Sequence, residues 1–221
     1  MHPWKPILVA AALLLPTFTV WAEEVALLPE REDWLTIAEL VEDGNALAAA
    51  GHADPLLAPM LLCENQGCGQ TGWQGLTTSE SATLRALFAT DGDAAAERDG
   101  IGHAIARLET MMGARNGTWR DRPANQHDGE GEDANDSGQL DCVAEAINTR
   151  TYLDRLTRAG LLRHHHVVGF IHRYTIVLQH VAVEIAPDDD AEHFAVDSWV
   201  GANGEPPEIV PYADWRWEWG V

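Results

Sequence analysis

Cys142 lies in Gln139-Leu140-Asp141-Cys142-Val143-Ala144-Glu145-Ala146-Ile147-Asn148, where an acidic, Gly- and Asn-rich loop (residues 128–138) gives way to a helix-forming run. A cysteine at a helix N-terminus meets unpaired backbone N–H groups and the positive end of the macrodipole, which favours the nucleophilic thiolate. The plain alternative is a small buried residue packing the first turn. Downstream, His180 opens the alternating run Gln179-His180-Val181-Ala182-Val183-Glu184-Ile185, and Asp197 falls near the end of Phe194-Ala195-Val196-Asp197-Ser198-Trp199. Two neighbouring strands bring His180 and Asp197 side by side on one face. With the Cys142 helix packed on that face, the three are a nucleophile, a general base and an orienting carboxylate. The chemistry is thiol-mediated acyl transfer. An oxyanion then needs donors: the backbone N–H of Cys142 is one, and Gln139 is either a second or an ordinary loop residue.

The order of these residues, 38 positions from Cys142 to His180 and 17 from His180 to Asp197, resembles the transglutaminase-like branch of papain-type cysteine enzymes. It is most similar to the bacterial transglutaminase-like cysteine proteinases, a periplasmic group that includes calcium-dependent proteases cutting surface adhesins. The resemblance covers about residues 100–215, and its most specific parts are Asp141-Cys142, the His180 strand and Asp197. It implies Cys142 as nucleophile, His180 as base and Asp197 as orienting acid. That group continues its cysteine motif with an acidic pair that helps bind calcium, whereas Val143-Ala144 stands there in this chain. Asp141 and Glu145 remain as candidate calcium ligands, so calcium is open. No cofactor is required for the chemistry itself. The substrate does not transfer with the resemblance.

The elements that would position these residues follow from periodicity. Residues 30–50 read as an amphipathic helix through Trp34, Ile37, Leu40, Val41 and Leu47. Thr77 and Glu80 have capping-box spacing ahead of Leu84, Leu87 and Phe88. A helix from Asp93 to about Met112 carries Ile101, Ile105, Leu108 and Met112, with His103 at its surface. The helix opened by Cys142 runs to about Ala159, with Gly160 as its C-terminal cap. Segments rich in β-branched and aromatic residues follow at 167–174, 175–185 and 194–200, with turn chemistry at 187–190 and 201–207. The expected fold is α+β, N-terminal helices packed on an antiparallel sheet, and the resemblance implies a transglutaminase-like, papain-like core. His164-His165-His166 cannot converge on one metal ion, because strand neighbours point to opposite faces. The alternating acids of residues 128–136 form a solvated loop or a calcium loop without EF-hand spacing. Trp215-Arg216-Trp217-Glu218-Trp219 alternates as a strand would, closing the core or offering aromatic faces to a partner.

The chain has 221 residues with a formal charge of −21, and its sole lysine is Lys5. That surface repels nucleic acid and anionic lipid. Lys5 ahead of the apolar run 7–20, with Val20-Trp21-Ala22, reads as a cleaved signal peptide (residues 1–22), the alternative being a retained anchor. A periplasmic or secreted protein without a stable membrane span follows. In that compartment Cys63 and Cys68 pair as a local disulfide, leaving Cys142 free. Residues 23–75 are then an N-terminal extension and 76–221 the enzyme domain. The expected activity is hydrolysis of a peptide or isopeptide bond in a protein or peptide substrate, ahead of transglutamination. The rivals are a non-catalytic binding or scaffold domain of the same fold, and an amidase or acyltransferase acting on cell-envelope substrates.

Overall fold

A computed structural model describes residues 31–88, 92–125, 138–174, 179–188 and 192–217. The expected signal peptide and the acidic run 128–136 lie outside these residues. Helix α1 (Arg31–Ala50) leads to a hairpin of β1 (Met60–Cys63) and β2 (Thr71–Gln74). The hairpin is tied by the expected Cys63–Cys68 disulfide. Helices α2 (Thr78–Ala86), α3 (Ala94–Asn116) and α4 (Cys142–Arg158) follow. Thr77 and Glu80 close the expected capping box on α2. Helix α3 runs one turn past its expected end, to Gly117 in the left-handed conformation that glycine adopts most readily. The chain finishes with β3 (His165–Tyr174), β4 (Gln179–Pro187), β5 (Phe194–Asp197), β6 (Glu208–Pro211) and a single helical turn, α5 (Tyr212–Trp215).

The last four strands form one antiparallel sheet in the order β3-β4-β5-β6, so the chain is mixed helix and sheet, as expected of an α+β protein. Side chains alternate across the sheet. Val181, Val183, Ile185, Phe194 and Val196 point into the main core, where they meet Ala144, Ile147 and Leu153 of α4. The same cluster takes in Trp34, Ala38 and Val41 of α1 and Met60 and Leu62 of β1, so the N-terminal segments share the core of the sheet. Ala182 and Ala195 point the other way, onto Trp215 and Ile171. No helix among the described residues is long and apolar enough to cross a membrane.

Three local expectations need correction. Leu40 and Leu47 of α1 are 66% and 78% exposed, because Trp34, Ala38, Val41, Asn45 and Ala49 are the residues that turn inward at helical spacing. Trp215 sits on a helical turn rather than a strand, since β6 ends at Pro211 and the indole turns back under the sheet. The strand expected over residues 194–200 is β5, which stops at Asp197 and leaves Ser198 and Trp199 outside the sheet.

Candidate active site

Asp141 caps α4, its Oδ1 accepting the Ala144 N–H at 2.9 Å and its Oδ2 the Gly67 N–H at 2.9 Å. The next residue, Cys142, is half-buried and opens the helix, so its own N–H has no intrahelical partner. Its thiol lies against the edge of β4, where Sγ is 3.7 Å from the Gln179 carbonyl oxygen and accepts from the Val181 N–H. The sulfur therefore meets the backbone on both sides of His180. Pairing of β4 with β5 covers only Val183 to Ile185, which leaves this end of β4 open to the helix terminus.

His180 and Asp197 follow the alternation of Ala182 and Ala195. They lie on the sheet face covered by Trp215, not on the face covered by the body of α4. The expectation that the Cys142 helix packs on their own face is corrected accordingly: only its first residue comes to the strand edge, where the thiol meets the Gln179 and Val181 backbone and is not hydrogen-bonded to His180 Nδ1. His180 Nε2 donates to Asp197 Oδ2 at 2.5 Å, and both side chains are nearly closed to solvent. The His180 ring packs against Trp199, at 4.6 Å between centroids, and against Trp215, at 5.7 Å. Three buried polar atoms here have no hydrogen-bond partner: His180 Nδ1, Asp197 Oδ1 and Gln179 Nε2. Unpaired buried polar atoms are rare, and this group surrounds the thiol's strand.

Burial pushes the Cys142 thiol up to about 11, with the Asp141 and Asp197 carboxylates adding to the rise and the Val181 N–H opposing it. The resting group is a neutral thiol, in contrast to the thiolate that its helix position suggests. Gln139 is not aimed at the thiol. Its Nε2 donates to the Arg120 carbonyl at 2.5 Å and its Oε1 accepts from the Arg122 N–H at 3.3 Å, which makes it a loop anchor.

Behind the thiol lies a group of buried acids that the sequence reading passed over in part. Glu109 of α3 accepts from the Gly204 N–H at 2.9 Å, and burial pushes its carboxyl up to about 8. Asp121 accepts from the Leu140 N–H at 2.7 Å and is raised to about 6, again by burial. Glu145, one turn along α4 from Cys142, is raised well above the usual carboxylate range by burial and by Glu109 and Asp121. It shares a hydrogen bond with Asp121, and as the protonated partner it donates. Of the two residues named for calcium, Asp141 accepts an N–H group on each of its oxygens, and Glu145 is buried, with its carboxyl raised well above the usual range. Among the described residues no group of three or more His, Cys, Asp or Glu is arranged to hold a metal ion. The three consecutive histidines take separate directions, with His165 Nδ1 on Glu97 at 3.0 Å and His164 Nε2 on the Gly92 carbonyl at 2.8 Å.

Sequence reasoning missed Glu109 and Asp121, and it read Trp215 as closing the core, which it does, without foreseeing its bond to Asp197. Glu109 had a signal, since it stands four residues after Ile105 on the apolar face of α3. Asp121 had none, and nothing local pointed to the Trp215–Asp197 bond, because these partners are distant in the chain. Comparison with protein-family models, curated proteins and solved structures finds no match for this chain.

Proposed function

We propose that the chain is a cysteine-dependent acyl-transfer enzyme, a peptidase or amide hydrolase with the triad Cys142, His180 and Asp197 and a transglutaminase-like core. The observation that carries the reading is the enclosed His180–Asp197 pair, whose remaining ring nitrogen has no partner while the free thiol lies against the backbone of the residues on either side of His180. Asp197 on Nε2 leaves Nδ1 as the basic nitrogen. That nitrogen takes the Cys142 proton as sulfur attacks the substrate carbonyl carbon. The C–S bond forms, the carbonyl π pair moves to oxygen, and Asp197 stabilises the imidazolium. Collapse of the adduct breaks the C–N bond, and the imidazolium proton leaves with the amine. Water then repeats the sequence on the thioester, giving the acid and the free thiol.

The Cys142 N–H and the Gln179 side-chain amide are the oxyanion donors in this reading, Gln179 replacing Gln139 in that role. Gln179 shares the strand parity of Val181, which faces α4, and its amide nitrogen is buried without a partner. Every proton and electron pair is carried by Cys142, His180 and substrate, with no cofactor. The disulfide and the lack of a membrane-spanning helix among the described residues are compatible with an extracytoplasmic site of action.

A second reading, a binding domain of the same fold, is favoured by one observation, the thiol pushed up to about 11. A peptidyl electrophile offered near neutral pH separates the two. Covalent capture at Cys142 that is lost in His180→Ala supports the enzyme. Equal slow capture in both proteins supports the binding domain.

A further inference from the structure

We infer that Trp215 is a positioning residue for the catalytic pair, the third partner that fixes the Asp197 carboxylate and through it the His180 tautomer. The Trp215 Nε1–H donates to Asp197 Oδ2 at 2.8 Å, the same oxygen that accepts His180 Nε2. The other oxygen, Oδ1, is buried and has no partner. One oxygen thus holds two donors while the other holds none. A carboxylate anchored by the imidazole alone is free to turn about its Cβ–Cγ bond, whereas the indole pins the oxygen that faces His180.

The indole is itself held. It is fully buried, and the Arg173 guanidinium lies 4.7 Å from its centroid. Arg173 Nη1 also donates to the Trp215 carbonyl at 2.6 Å. In the β3–β4 register Arg173 stands opposite His180, so Arg173, Trp215, Asp197 and His180 occupy one sheet face. The Tyr212 N–H donates to the His193 carbonyl at 2.8 Å, tying the turn that carries Trp215 to the start of β5. A neutral His180 with Nε2 protonated leaves Nδ1 free to accept the thiol proton. The opposite tautomer does not.

This inference rests on the proposed triad for its use, but the tautomer is readable without catalysis. The experiment is NMR of protein carrying isotope-labelled histidine and tryptophan, in wild type and in Trp215→Phe, which keeps a ring and removes the donor. Wild type is expected to show one neutral His180 form, protonated at Nε2. Trp215→Phe is expected to show both tautomers, and Cys142 labelling near neutral pH about tenfold slower, the loss due to one charge-assisted hydrogen bond. If Trp215→Phe does not fold, Asp197→Ala supplies the second reading: the Trp215 indole proton should exchange with solvent about tenfold faster than in wild type. A single Nε2-protonated form retained in Trp215→Phe would overturn the inference, as would an indole proton indifferent to loss of the carboxylate. Wild-type labelling that is slow and indifferent to His180 would sink the enzyme reading alone, the tautomer still deciding the role of Trp215.

Discussion

A helix N-terminus lowers a thiol's pKa, and Cys142 has that position; burial acts in the opposite sense and prevails. The dipole is worth about 1 kcal/mol or less at such a site, too little to offset the burial that pushes the thiol up to about 11. An unassisted thiol of that kind carries roughly 100-fold less thiolate near neutral pH than an unperturbed cysteine. Any rapid reaction at Cys142 must therefore draw on a base, and His180 is the imidazole on the strand it touches. The oxyanion assignment makes a separate prediction. Gln179→Leu should lower turnover of an amide substrate about 100-fold, as loss of one oxyanion donor does elsewhere, while leaving alkylation of Cys142 unchanged. Unchanged turnover would remove Gln179 from the site. The positions of Cys142, His180 and Asp197 at the ends of α4, β4 and β5 were legible in the sequence because each lies at or beside the end of a recognisable element. The thiol's charge state was not, since burial depends on how α4 meets β4.

At the scale of elements, α4 is held to the hairpin by a pair of bonds from one side chain. Asn148 Oδ1 accepts from the Cys63 N–H at 2.8 Å, and its Nδ2 donates to the Cys63 carbonyl at 3.0 Å, all buried. Asp141 adds the bond to Gly67 inside the disulfide loop. Asn148→Ala leaves both Cys63 groups unpaired and should cost about 3 kcal/mol, measured as a lower urea midpoint. A loss within about 0.5 kcal/mol would show that water replaces the amide. Reduction of Cys63–Cys68 frees a short loop, worth about 2 kcal/mol on the chain-entropy scale. It should also slow Cys142 labelling, because the Gly67 contact to the helix cap loosens; an unaffected rate would uncouple the loop from the site. The capping box and the disulfide were readable because they are local. The β1–β2 hairpin and β6 were not, being four-residue strands whose pairing shows only in three dimensions. Trp215 misled for a related reason: its alternating neighbours suggest a strand, but Pro211 ends β6 and turns the chain into α5.

For the molecule as a whole, the three buried acids set a dependence on pH. Glu109 and Asp121 are raised to about 8 and about 6, and Glu145 is raised well above the carboxylate range. Each stays protonated in the folded chain at pH values where the unfolded chain has already released its proton. Stability from this group is therefore fully present below the unfolded carboxylate range. It is lost as pH climbs from there through about 8. Glu97 works in the opposite direction: its carboxyl is lowered by the His165 side chain and by the Arg163 and His164 N–H groups, so its contribution is lost on the acid side. The melting temperature should fall between about pH 5 and pH 8, and Glu109→Gln should flatten that fall. A flat profile in wild type would contradict the buried neutral acids.

The most direct test of the central claim is the rate at which a peptidyl electrophile modifies Cys142 near neutral pH, with the label located by mass spectrometry in wild type, His180→Ala and Asp197→Asn. The account predicts fast capture at Cys142 in wild type, about 100-fold slower in His180→Ala for want of a general base, and an intermediate rate in Asp197→Asn. Equal slow rates in all three folded proteins would contradict it, leaving a buried thiol beside a histidine–aspartate pair that takes no part in its chemistry.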